Sequence, residues 1–162
     1  MTTPVSHLQE AQKLEADALV DLFEIYIKGT STVIRLKNEN TVNWLGNDYE
    51  GVAIKLSGDA RTADAEETKA TIRIMNPEGI FNSFAFDGTL DMATVIRKRV
   101  LRDHLENNVS IFQQRMWYIS RITELITNQS LTAELRNMSE GAIFMIPVRV
   151  YMPPEFPTVS LK

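Results

Sequence analysis

The pattern of apolar and polar positions changes period near residue 19. Before it, residues 6–17 (SHLQEAQKLEAD) predict a short helix, with Ser6 placed to N-cap it and Gln9 completing a capping box. The apolar positions Leu8, Ala11, Leu14 and Ala18 are sparse, so this helix needs a surface to dock on. From Leu19 to Lys28, Phe23, Ile25 and Ile27 alternate with Glu24, Tyr26 and Lys28, which predicts a half-buried strand. Gly29-Thr30-Ser31 breaks it. Thr32–Leu36 and Val42–Leu45 predict further strands, separated by a turn at Asn38–Asn40. Gly46-Asn47-Asp48 then turns the chain again before Tyr49. Strands punctuated this closely argue for antiparallel pairing.

Residues 58–67 (GDARTADAEE) are polar, acidic and aperiodic, and predict an exposed loop. Ala70–Met75 alternates Ile72 and Ile74 with Thr71 and Arg73, a strand that Asn76-Pro77 ends, since proline has no amide to donate. Pro77 suits a first helical position, so a short helix is expected through Phe84. Met92–Asp103 fits either period. Its β-branched run Thr94-Val95-Ile96 favours a strand. Ile111–Ile122 carries apolar residues on both parities, which requires both faces to be covered, by the chain itself or by a partner. Ser130–Arg136 pairs back on it through Thr127-Asn128-Gln129. The expected fold is therefore mainly β with short helices. It consists of one antiparallel barrel- or sandwich-like domain over residues 1–152 with an N-terminal helix, followed by a Pro-rich extended strap at 153–162.

Composition narrows the chemistry. The 162 residues suffice for a core without staples, and seventeen Lys and Arg against twenty-one Asp and Glu give a net charge of −4. That balance argues against a dedicated or sequence-specific nucleic-acid binder. The chain has no cysteine, which removes disulfides, thiolate zinc, Cys-ligated iron–sulfur clusters and thiol catalysis. His7 and His104 are far apart in sequence and flanked by polar residues, so they read as exposed, and no metal or other cofactor is expected. The longest uncharged apolar run, Gly141–Val148, is far shorter than the roughly 20 residues of a membrane span.

Two charged clusters remain. Asp59, Asp64, Glu66 and Glu67 lack the spacing of a calcium loop and read as a solvated or interface segment. Arg97, Lys98, Arg99 and Arg102 form the most basic run. Its pairing with the acidic group is expected either within one subunit or between neighbours in an assembly. Trp117 and Phe156 are the apolar candidates for an interface. Catalytic motifs are not visible, and the chain points to binding or assembly. Two other classes stay open: a cell-wall hydrolase using carboxylates such as Glu24, Glu50 or Asp87, and a small-molecule-binding β-barrel.

The order of motifs resembles a known family. Residues 8–18 (LQEAQKLEADA) lead into Val20–Ile25, followed by Trp44-x-Gly46-x-x-Tyr49 within Val42–Tyr49. Thr71–Asn76 with Gly79, then Thr94–Val100, and finally Glu140–Phe144 complete the series. Over residues 7–150 this is similar to the N-terminal half of the minor tail protein L family of lambda-like long-tailed bacteriophages. The resemblance implies a non-catalytic structural protein of the virion's tail tip or baseplate, made in the host cytoplasm. It would belong to a ring between the distal tail tube and the central hub and host-recognition apparatus. The implied partners are other copies, in a trimer or alternatively a hexamer, together with the distal tail and hub proteins. The family's cysteine-rich iron–sulfur segment has no counterpart here, so that cofactor is not carried over.

Overall fold

A computed structural model describes residues 4–11, 18–58 and 69–137. The chain order is α1 (Val5–Glu10), β1 (Leu19–Tyr26), β2 (Val33–Lys37), β3 (Val42–Trp44), β4 (Asn47–Gly51), β5 (Ile54–Ser57) and β6 (Ala70–Met75). α2 (Ile80–Phe86), β7 (Thr94–Leu101), α3 (Arg102–Glu106), β8 (Gln113–Ile126) and β9 (Ser130–Arg136) follow. The protein is β-rich, with an N-terminal helix and a nine-stranded mixed sheet of order β3-β4-β2-β1-β7-β8-β9-β6-β5. Every pairing is antiparallel except β2 with β4, which the antiparallel expectation did not include.

The sheet closes on itself through one bent strand. β4 pairs with β2 near one end of the sheet, and β5 pairs with β6 at the other, yet only Val52 and Ala53 separate them. The Val52 amide donates to the Lys37 carbonyl at 2.9 Å, while the Ala53 carbonyl accepts from Met75 at 3.0 Å. Those two bonds tie the linker to both flanks, making a barrel. Alternation then sends Phe23, Ile25, Leu36, Ile72, Ile74, Val95, Trp117, Ile119, Leu131 and Leu135 inward to one core. Phe81 of α2 and Leu90 join that core.

A second, smaller core lies on the outer face of β1 and β7. The β3–β4 hairpin covers it with Trp44 and Tyr49, which meet Leu22, Val100 and Leu105. Consequently β1 is buried on both faces: Leu22, Phe23, Glu24 and Ile25 are all at 4% exposure or less. The half-buried strand expected from alternation is corrected there, because the hairpin covers the face that should meet water. β8 behaves likewise, with Trp117 inside the barrel and Tyr118, on the opposite face, only 7% exposed within the single chain.

Local boundaries moved for identifiable reasons. α1 begins after Pro4, and Ser6 sits inside it with no side-chain cap. α2 starts at Ile80 behind Gly79, whose φ of 70° only glycine adopts without strain, so Pro77 belongs to the preceding turn. The basic run is a strand as expected, but α3 follows it at once, and β5 had no sequence signal. The proposed strap at 153–162 lies outside the described residues.

Candidate functional site: the charged face of β1 and β7

Strands β1 and β7 pair over their full length, Leu19 opposite Leu101 through Tyr26 opposite Thr94. That register aligns the acids of one strand with the bases of the other. Glu24 faces outward and is 2% exposed. Its Oε1 accepts from Lys98 Nζ at 2.6 Å and Tyr49 Oη at 2.5 Å, and its Oε2 accepts from Tyr26 Oη at 2.9 Å. Arg35 Nε stands 4.0 Å from Oε1. Burial pushes the Glu24 carboxyl up, but the hydrogen bonds from Lys98, Tyr49 and Tyr26, with the charge of Lys98, hold it below the ordinary range. The same environment pushes the Tyr49 hydroxyl up, first by burial and then by its bond to Glu24. Lys98 is enclosed by aromatic rings, 5.5 Å from the Phe112 centroid and 6.0 Å from that of Trp44. These distances suit cation–π contact.

The inward parity of the same strands builds the barrel's charged mouth. Asp21 lies opposite Arg99 and Phe23 opposite Arg97. Arg99 forms two hydrogen bonds to Asp21, at 2.8 and 3.2 Å, the forked geometry that suits a guanidinium. Arg97 approaches the same carboxylate at 4.0 Å. Below them Trp117 receives Arg97 and Arg115 at 5.4 and 5.1 Å from its ring. A cleft of about 760 Å³ opens here, lined by Asp21, Lys37, Arg97, Arg99, Arg102 and Glu106 among others.

Of the sequence candidates, the structure brings Arg97, Arg99 and Arg102 to one cleft and turns Lys98 to the opposite face. Trp117 is corrected as an interface anchor: at 1% exposure it is core, beneath two arginines. Asp59, Asp64, Glu66, Glu67 and Phe156 lie outside the described residues. Asp21 and Glu24, the acids that meet Arg99 and Lys98, were not identified from sequence as their partners. The signal was present in the aromatic Trp44-x-Gly46-x-x-Tyr49 hairpin, whose apolar side had to cover some face of the sheet.

Two other expectations change here. Both oxygens of Glu24 are engaged by internal donors, so the carboxylate works as an acceptor that joins strands and hairpin. His7 is not exposed: it is 93% buried, its ring centroid 6.2 Å from that of His104. Burial, followed by the proximity of His104 and Arg99, keeps the His7 pKa below its usual value. Among the described residues, no group of three or more His, Cys, Asp or Glu side chains is arranged to hold a metal, and no helix is long and apolar enough to cross a membrane. Compared with known proteins, the chain matches no family model and no curated sequence.

Proposed function

We propose that this chain is a non-catalytic structural component of a bacteriophage tail tip or baseplate. It would form part of the ring that connects the distal tail tube to the central hub and host-recognition apparatus. The observation that carries this reading is how the resembling segments sit in the fold. Val20–Ile25 lies within β1, Val42–Tyr49 forms the β3–β4 hairpin, Thr71–Met75 lies within β6, and Thr94–Val100 lies within β7. These four segments thus coincide with strands or a hairpin of the sheet, while residues 12–17 of the first resembling segment and all of Glu140–Phe144 lie outside the described residues; Trp44 and Tyr49 of the most distinctive segment are 1% and 0% exposed. A closed barrel with its acids and bases bonded across strands is a rigid unit suited to repetition about a symmetry axis.

On this reading the chain occurs in several copies, a trimer first and a hexamer as the alternative, contacting the distal tail and hub proteins. Charge alone would contribute little to such contacts, since exposed pairs are worth only about 0–1 kcal/mol each. Quantitative peptide mass spectrometry of purified phage particles tests the reading. The expected result is the chain in the tail fraction at three or six copies. A single copy per particle removes the ring, and absence from particles removes the tail-tip assignment.

A further inference from the structure

A surface helix ordinarily docks through an apolar stripe, but α1 docks through an imidazole. Val5 and Leu8 are 67% and 52% exposed, and among the described side chains of α1 His7 alone is buried. His7 Nε2 has no hydrogen-bond partner there. Two basic groups act on the ring: His104 of α3, with centroids 6.2 Å apart, and Arg99 of β7. The acids of the neighbouring elements are engaged or exposed. Asp21 of β1 holds the Arg99 fork at 2.8 and 3.2 Å, and Asp103 Oδ1 of α3 accepts from Asn107 at 2.9 Å. Arg102, Asp103 and Glu106 of α3 are all exposed.

We propose that α1 is an acid-released helix: protonation of His7 frees the N-terminal segment from α3 and β7 while the barrel stays closed. A neutral ring tolerates burial far better than an imidazolium, which would enter this contact beside a guanidinium and a second imidazole. Burial, followed by His104 and Arg99, accordingly holds the docked ring's pKa below 6.5. The released ring binds a proton more readily than the docked one. Docking is therefore at full strength above 6.5 and is lost as the pH falls through the depressed docked value. One proton taken up on release raises the released-to-docked ratio by up to about tenfold per pH unit. Histidine is the side chain whose ordinary titration lies in this range, and the chain's only two histidines both sit at this contact. Release stops at Ala18, whose carbonyl accepts from the Arg102 amide at 3.0 Å and ties the entry of β1 to α3. This inference is independent of the tail-tip reading.

Amide NMR of the full 162-residue chain between pH 7.5 and 5 tests it. The α1 amide signals should move together from docked to random-coil positions, in step with the His7 imidazole signal, while those of β7 and β8 stay in place. The released-to-docked ratio read from them should rise towards about tenfold per pH unit below 6.5. His7→Leu puts an uncharged side chain in the same place and should keep the α1 signals docked over the whole range. His104→Gln removes one of the two facing cations and should move the release to lower pH. The inference is overturned if the α1 signals of the unaltered chain keep their positions down to pH 5. It is equally overturned if they move as much in His7→Leu, or if β7 and β8 lose their signals at the same pH, since the acid response would then belong to the barrel.

Discussion

A carboxylate at 2% exposure depends on its donors, and Glu24 has three. Breaking a buried charge pair from one side leaves the other charge unmatched, at a cost of about 3–5 kcal/mol. Glu24→Gln should therefore be severe, because Lys98 loses its counter-charge inside an aromatic enclosure. Tyr49→Phe removes one hydrogen bond to a charged acceptor and should cost about 1.5–3 kcal/mol. Urea unfolding of the two variants checks the order, with Glu24→Gln the lower midpoint. The pH dependence follows from the direction of the Glu24 shift. Its folded-state value lies below the ordinary 4.5, so the unfolded chain binds the proton more readily. The stabilisation is fully present above 4.5 and is lost as the pH falls through the depressed folded value. Denaturant midpoints measured into the acid range should fall less steeply for Glu24→Gln than for the parent chain. Alternation placed Glu24 on the correct, outward face. What it could not convey was that a hairpin 20 residues later covers that face, because covering is a tertiary fact.

The element most legible in the sequence is also the one whose turn was misplaced. β3 and β4 pair with Trp44 opposite Asn47, leaving Leu45 and Gly46 as a two-residue loop. Both have positive φ, 51° and 75°, as a type I′ turn requires to match the twist of its strands. A reading by turn propensity favoured Gly46-Asn47-Asp48, since leucine rarely adopts the left-handed region. The tip explains why it does here: the Leu45 amide donates to Asn108 Oδ1 at 3.1 Å, anchoring the hairpin beside α3. Leu45→Asn keeps that amide and relieves the backbone strain, so it should stabilise the chain by about 0.5–1 kcal/mol. Gly46→Ala should destabilise by about 1 kcal/mol or more, because alanine resists positive φ. Opposite movements of the thermal midpoint in the two variants would establish the turn. β6 was read at its true limits because its apolar alternation is regular and Asn76-Pro77 stops it.

At the scale of the whole molecule, β-rich class and barrel-like closure followed from short alternating runs, but the closing device did not. Ile54–Ser57 is only four residues long, and nothing in its sequence says that it continues β4 across to β6. The closure depends on Gly51, the last residue of β4 before the Val52–Ala53 linker. A Cβ there would collide with the Glu39 carbonyl oxygen, the Asn40 carbonyl carbon and the Thr41 amide nitrogen, all backbone atoms of the β2–β3 loop. This is a steric demand, not a dihedral one, since the φ of Gly51 is not in the left-handed region. Backbone cannot move aside as a flexible side-chain end can, so the loop or the linker must shift. Either shift pulls on the Val52–Lys37 and Ala53–Met75 bonds that join the two flanks of the sheet. Gly51→Ala should therefore cost at least the about 1–3 kcal/mol of overpacking. Its effect should also spread around the barrel. Amide hydrogen exchange is the discriminating measurement, because a barrel opened at β4–β5 exposes the partner edges of both β2 and β6. Faster exchange at Val52 and Met75 together, with the β8–β9 hairpin still protected, is the expected pattern. Unchanged exchange at both would mean that the bent strand is not what closes the barrel.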